Sequence, residues 1–144
     1  MSRRVNLDAN VILRFLRNDD AKQSPQAAAL FKLAQADDEL ELIVSPVTLL
    51  EVFYVLARAY GLPRTEVAGL LKLLLVSGAI LCEDDGITVA ALGYITSNKV
   101  SFGDAFLAAT AAQSNEEIAS FDQGMSAFKF VRHYPLDSLA RKTK

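Results

Sequence analysis

The chain has 144 residues, of which 51% are hydrophobic, and a mean hydropathy of +0.22. These values exclude a disordered chain and are typical of one domain, which we expect to span residues 1–144. The net charge of −2 and the pI of about 5.4 provide no broad basic surface, so a polyanionic substrate would need metal ions or a few local cations.

The first half of the chain alternates between strand and helix patterns. Proline at the start of a helix and glycine just after its end are strong boundary signals, and both occur here. The predicted elements are a strand ending at Asp8, a helix capped by Asn10, a helix opened by Ser24 and Pro25, a strand over 40–44, and a long helix from Ser45 and Pro46 to Gly61.

The second half continues the alternation. Its most apolar run, residues 67–82, contains Lys72 and is too short to cross a bilayer, so it is better explained by a buried helix and a strand. Strands alternating with helices predict an α/β fold with a mostly parallel sheet covered on both faces. The predicted elements are a helix over 63–77, a strand over 79–82, a helix after Asp84, a helix capped by Ser101, a strand over 118–121, a short helical turn over 123–128, and a strand over 130–132.

Four carboxylates lie in otherwise apolar segments that are far apart in the sequence: Asp8, Glu51, Asp104 and Asp122. Burying an ionised acid without a partner costs several kcal/mol, and these segments contain no comparable set of lysines or arginines. A divalent cation would supply the missing charge, and hard cations such as Mg²⁺ prefer carboxylate oxygens. We therefore predict an acidic metal pocket assembled by folding.

Two of these acids follow predicted strands, where open α/β sheets place their ligands. Asp8 could instead cap the next helix, although Asn10 could take that role. Asp122 precedes a Gln-Gly pair and could be a turn aspartate. Ser120, two residues earlier, could orient a carboxylate or a bound water.

The other two acids lie on predicted helices. Asp104 and Ser101 fit a common helix-capping pattern, so Asp104 has a strong structural alternative as part of a cap. Glu51 is harder to explain structurally, because no cation lies one turn from it and Arg58 is two turns away. Its structural alternative is an acid that reaches solvent from the rim of an apolar helix.

Cationic residues near the predicted pocket are few. Arg14 and Arg17 lie on one stripe of the first helix, and Lys99 lies shortly before Asp104. A solvated helix face explains the arginines, but these three residues are also the best candidates for contacts with a phosphate backbone. The single cysteine, Cys82, cannot form an internal disulfide and fits a reducing cytoplasm, where we expect the protein to act.

The motifs LDANVILRFL, SPVTLLEV and DAFLAATA, in this order, resemble those of the PIN-domain family. The resemblance extends from Val5 to about Val131, and the compact length is most similar to a VapC-type toxin of a toxin–antitoxin pair. It implies a three-layer α/β/α sandwich with a central sheet of four to five strands, and a homodimer. It also implies a Mg²⁺- or Mn²⁺-dependent ribonuclease that is inhibited by an antitoxin and binds metal through Asp8, Glu51, Asp104 and Asp122.

Some positions depart from the family pattern, and two other functions compete with the ribonuclease. Ser120 fits the family, whereas the further aspartate that often follows the last acid is absent from residues 123–126, which weakens Asp122 as a direct ligand. A haloacid-dehalogenase-like phosphatase would need a second acid at Asn10. A catalytically silent binding module with an acidic groove is the alternative from a different class.

The helices over 46–61 and 63–77 are apolar around most of their circumference, which is more than one small sheet can cover. A second copy of the chain would cover them, and symmetric dimers are the commonest oligomers. An antitoxin helix in the same groove is the competing explanation. Both partners remain possible at this point.

Overall fold

Helices make up most of the chain in the computed structural model, which describes residues 2–142, with side chains over 2–139. The described strands are β1 Arg3–Asn6, β2 Leu40–Ile43, β3 Glu117–Ile118 and β4 Arg132–His133. The described helices are α1 Ala9–Arg17, α2 Gln23–Ala36, α3 Pro46–Tyr54, α4 Arg64–Val76, α5 Ile87–Ser97, α6 Phe102–Gln113 and α7 Asp137–Lys142. No helix in this part of the chain is long and apolar enough to cross a membrane.

Two helix starts agree with the predicted caps. The Ser45 hydroxyl accepts a hydrogen bond from the Thr48 amide at 3.1 Å, and Pro46 is the first residue of α3. The Ser101 hydroxyl accepts one from the Asp104 amide at 3.0 Å and so caps α6. A π-helical turn, Val55–Ala59, prolongs α3 until Gly61, whose φ of +68° favours glycine.

Two other starts correct the predictions. The N-cap of α1 is Asp8, which has an extended backbone with φ −78° and ψ 154°, so Asn10 lies inside the helix and does not cap it. Helix α2 begins at Gln23, before Ser24 and Pro25. The Asp20 carboxylate explains this earlier start, because it accepts hydrogen bonds from the amides of residues 22 and 23 at 2.9 and 2.7 Å.

The strands pair in parallel but in two separate places. Strands β1 and β2 are in register from Arg3 opposite Leu40 to Asn6 opposite Ile43, and Leu81 adds a single parallel bridge to Ile43. Strands β3 and β4 pair over two residues each. The predicted sheet of four to five strands is therefore not seen within residues 2–142, because the strands are short and no ladder joins the two pairs. The predicted strand over 79–82 is reduced to that bridge.

The core lies mainly between the helices. Helix α3 packs against α1, α4 and α6, and α5 packs against both α4 and α6. Phe53 of α3 is 1% exposed and meets Phe102 of α6 edge to face, with the ring centroids 5.4 Å apart. This packing brings together the three helices that carry or begin at Asp8, Glu51 and Asp104.

Candidate metal centre

Asp8 lies at the point where β1 leads into α1. It is exposed, and although its backbone forms the N-cap of α1, its side chain makes no capping hydrogen bond. No other hydrogen bond or ion pair engages this carboxylate within the described residues. The predicted cap alternative therefore holds for the backbone of Asp8, while its carboxylate oxygens remain available to a ligand.

Glu51 lies in the middle of α3, away from either end of the helix. It is exposed and has no hydrogen bond or ion pair among residues 2–142. Arg58, the nearest cation predicted on this helix, instead lies over the ring of Tyr54 at 4.8 Å. Glu51 thus lies between the buried side chains of Leu49 and Val52 and has no cationic partner among the described residues.

Asp104 is the third residue of α6 and is partly buried. Its main-chain amide takes part in the cap with Ser101, but its carboxylate has no partner in the described part of the chain. The reciprocal half of a capping box, in which the acid accepts a hydrogen bond from the amide of the capping residue, is not formed. The cap therefore uses only the backbone of Asp104, and its carboxylate takes no part in it.

Asp122 differs from the other three acids. It caps a short 3₁₀ helix, Gln123–Ala127, and its Oδ1 accepts a hydrogen bond from the Gly124 amide at 2.8 Å. The Ser120 hydroxyl in turn accepts a hydrogen bond from the Asp122 amide at 3.0 Å. Asp122 is thus the turn aspartate considered from the sequence, and Ser120 orients its backbone.

The helix positions offer a structural explanation for most of the acids. Asp8, Asp104 and Asp122 all lie in the first turn of a helix or at its N-cap, where the helix dipole stabilises negative charge by about 0.3–1 kcal/mol. Glu51 receives no such stabilisation, because it lies beyond the first turn of α3. Glu51 is therefore the acid whose charge the fold explains least.

The packing of α3 against α1 and α6 brings three acid-bearing elements into contact, but the side chains do not form a closed cluster. No three of the histidine, cysteine, aspartate and glutamate side chains described here are grouped so that they could hold one ion. The chemistry of the donors fits a hard cation, since Asp8, Glu51 and Asp104 offer carboxylate oxygens that have no partner among the described residues. The ligand set stays a prediction.

The three predicted phosphate-contacting cations lie in different environments. Arg14 donates to Gln23 Oε1 at 3.0 Å and to Asp19 Oδ1 at 3.3 Å, and it lines a groove beside Asp8. The guanidinium of Arg17 lies 4.9 Å from the ring centroid of Tyr60. Lys99 is exposed between α5 and α6. Arg14 is the one placed beside a candidate metal ligand.

Sequence reasoning missed the side chains that surround Arg14. Asp19, which follows the end of α1, contacts both Arg14 and the hydroxyl of Tyr60, the latter at 2.7 Å. Gln23 and Gln26 line the same groove from α2. Spacing along the chain could not reveal this group, because α1, α2 and the turn after α3 meet only in the folded protein.

Cys82 is not a candidate nucleophile. The pKa of its thiol is raised to about 11, mainly by burial; a hydrogen bond with Thr88 partly offsets this effect, and the nearby Asp84 adds to it. A raised pKa keeps the thiol protonated and unreactive near neutral pH. We expect alkylation of native Cys82 by iodoacetamide to be slow at pH 8 and to accelerate up to about pH 11; a fast reaction at pH 7 would contradict this environment.

The family model described as the PIN domain matches residues 5–131, which is nearly the whole chain and agrees with the range predicted from the motifs. The chain belongs to the PIN-domain family, an α/β family whose members are generally metal-dependent nucleases.

No curated protein matches the chain. Among solved structures, the crystal structure of FitAcB from Neisseria gonorrhoeae is similar to it, with 21% identity, coverage of 92% of this chain and 98% of that chain, and a TM-score of 0.31. A likeness at that TM-score adds nothing to the functional argument, which depends on the family and on the carboxylates.

Proposed function

We propose that this protein is a divalent-metal-dependent endoribonuclease that uses Asp8, Glu51 and Asp104 as its main metal ligands. The observation that carries the proposal is that these three carboxylates have no protein partner within residues 2–142 and lie on or at the start of α3 and the two helices, α1 and α6, that pack against it. Membership of the PIN-domain family supports a nuclease, and the acid-only donor set supports Mg²⁺ or Mn²⁺. The packing of α3 against α1 and α6 supports a common site for these acids.

The chain's own residues would have distinct roles in this reaction. A bound divalent cation would supply Lewis-acid polarisation of the phosphodiester and lower the pKa of a water. Asp8, Glu51 and Asp104 would hold it, and the α6 cap at Ser101 would keep the main chain of Asp104 in place. Asp122, whose Oδ1 already bonds to Gly124, would orient a water or a second ion through its remaining oxygen. Arg14 would contact the anionic backbone of the RNA beside Asp8.

Metal dependence is the first test of this function. Purified protein, free of any bound inhibitor, is expected to cleave single-stranded RNA with Mg²⁺ or Mn²⁺ and not with EDTA, and isothermal titration should detect Mn²⁺ binding. Glu51→Gln should remove both cleavage and ion binding, because it replaces a charged ligand with a neutral amide of the same shape. RNA cleavage that persists in EDTA would contradict the proposal, and absence of any ion binding would favour the silent binding module.

The biological role that fits this enzyme is the toxin of a toxin–antitoxin pair acting in the cytoplasm. The motifs and the compact length that resemble a VapC-type toxin support it, and an exposed apolar surface supports a protein partner. Leu73 and Val76 of α4 are 63% and 66% exposed, and they lie three residues apart on one face of the helix. We infer that this α4 face forms a homodimer interface, with the antitoxin as a further partner elsewhere.

The dimer can be tested without RNA. Val76→Glu is expected to shift the protein from dimer to monomer in sedimentation velocity, because it places a charge within a desolvated apolar contact. Leu33→Glu is the matched control, since Leu33 is similarly exposed at 57% but lies on α2. If the wild-type protein is a monomer, or if both variants behave alike, the α4 face is not the dimer contact.

A further inference from the structure

A polar groove lies directly beside Asp8, between α1 and α2. Its volume is about 440 Å³, within the range of pockets that hold small ligands. Asn10 and Arg14 line it from α1, and Gln23 and Gln26 line it from α2. The groove therefore shares Asp8 with the candidate metal centre and presents one cation and three amides.

The cation of the groove is held in a defined orientation. The Arg14 Nε donates to Gln23 Oε1 at 3.0 Å, and its Nη1 donates to Asp19 Oδ1 at 3.3 Å. The other Asp19 oxygen accepts from the Tyr60 hydroxyl at 2.7 Å, and this hydrogen bond lowers the pKa of Asp19, so Asp19 remains ionised opposite the guanidinium. A guanidinium carries five N–H donors, so most of those on Arg14 remain available.

The amides divide the groove into two kinds of surface. The carbonyl oxygen of Gln23 accepts a hydrogen bond from Arg14, and its amide nitrogen remains a donor. Next to Arg14 the groove therefore offers several donors, which suit the oxygens of a phosphate. Gln26 and Asn10 keep both a donor and an acceptor, which is the pattern that reads the edge of a base.

The rest of the lining is apolar and suits the flat face of a base. Val11 of α1 and Ala27 and Leu30 of α2 complete the groove. Single-stranded RNA presents unpaired bases that combine an apolar face with a polar edge. A groove that combines donors, amides and apolar side chains matches one such unit.

We propose that this groove is a subsite for one nucleotide of single-stranded RNA, next to the bond that is cut. Arg14 and the Gln23 amide hold its phosphate, and Gln26 reads the edge of its base. Asp19 is a positioning residue that keeps Arg14 facing the groove. This inference rests on the proposed nuclease function and adds residues that select the RNA sequence.

The test measures RNA binding apart from cleavage. Fluorescence anisotropy in EDTA, with a labelled pool of eight-nucleotide single-stranded RNAs, compares Gln26→Ala with Gln35→Ala, an exposed glutamine of the same helix that does not line this groove. We expect about fivefold weaker binding for Gln26→Ala and about tenfold for Arg14→Lys, which loses the planar fork of donors. Gln35→Ala should bind like the wild-type protein.

Asp19→Asn tests the positioning role. It should weaken RNA binding less than Arg14→Lys does and leave the circular dichroism spectrum unchanged. The Arg14 guanidinium remains, but the Asp19 carboxylate no longer fixes its orientation. Sequencing of cleavage products with Mg²⁺ should show altered preference at one position for Gln26→Ala and not for Gln35→Ala. These two readouts separate selection of the RNA from a general loss of structure.

The outcomes are distinct from those for the nuclease itself. If EDTA binding follows the expected order but no metal-dependent cleavage occurs, the nucleotide subsite stands and the proposed nuclease function fails. If cleavage occurs but Gln26→Ala and Gln35→Ala match in both affinity and cut sites, the subsite is overturned. Absence of RNA binding by the wild-type protein in EDTA, or a defect of Gln26→Ala only in binding to a protein partner, overturns it as well.

Discussion

Replacing Asp104 with asparagine is expected to reduce metal-dependent RNA cleavage at least about 100-fold. Mutating a residue that only hydrogen-bonds to a metal ligand already lowers metal affinity or activity about 10–100-fold, and a direct ligand should matter more. The same change should alter the free energy of unfolding by no more than about 1 kcal/mol, the size of a helix-dipole contribution. The α6 cap uses the main-chain amide of Asp104, which asparagine retains. Activity assays, Mn²⁺ titration and urea denaturation together measure both effects.

Ser101→Ala is the matched control for this prediction. It removes the hydroxyl that accepts a hydrogen bond from the Asp104 amide and should lower the free energy of unfolding by about 1 kcal/mol, while the Asp104 carboxylate is retained. The two substitutions therefore separate the cap from the ligand. If Asp104→Asn cleaves RNA at the wild-type rate, Asp104 is not a ligand and its role is only structural.

Replacing Phe53 with alanine is expected to destabilise the protein by about 3–5 kcal/mol, the usual cost of removing a buried phenyl ring. Phe53 is 1% exposed and meets the rings of Tyr54 and Phe102, with centroids 5.7 and 5.4 Å away. Because Phe102 is the first residue of α6, the change also loosens the contact between the helices of Glu51 and Asp104. Cleavage should therefore fall together with stability, as measured by urea denaturation and activity on the same preparation.

Two further variants make the Phe53 prediction specific. Phe53→Leu retains most of the buried volume and should cost less than Phe53→Ala. Phe130→Ala removes a ring that is 54% exposed and should cost less again. If Phe53→Ala and Phe130→Ala destabilise the protein equally, the contact between α3 and α6 does not have the importance assigned to it.

The agreement between sequence and structure is best where the chemistry is local. Ser45 and Ser101 cap their helices as predicted, because a hydroxyl at an N-cap satisfies an amide only three residues away. The α1 cap went to Asp8, and Asn10 was wrongly assigned, because both residues are good caps and the strand before them decides where the helix begins. Helix boundaries thus depend on sequence alone only where one candidate is present.

Long-range pairing was the less predictable part of the fold. The strand patterns at 40–44 and 118–121 were recognisable, but the number of residues that pair depends on partners far away in the chain. Strand β2 pairs with β1 and takes only a single bridge from Leu81, while β3 pairs with β4 over two residues each. A pattern of apolar residues predicts that a segment is extended; it does not fix the length of its ladder.

The sequence by itself determined the family and most of the helix starts and singled out four candidate acids, since these depend on residue identity and on contacts a few residues apart. Only the tertiary structure decided which acids are left without partners. It gave Asp122 a hydrogen bond from Gly124, left Asp8, Glu51 and Asp104 without partners within residues 2–142, and placed Arg14 against Asp19. Electrostatic partners are chosen by distance in space, and distance in space follows from the packing of elements that are remote in the chain.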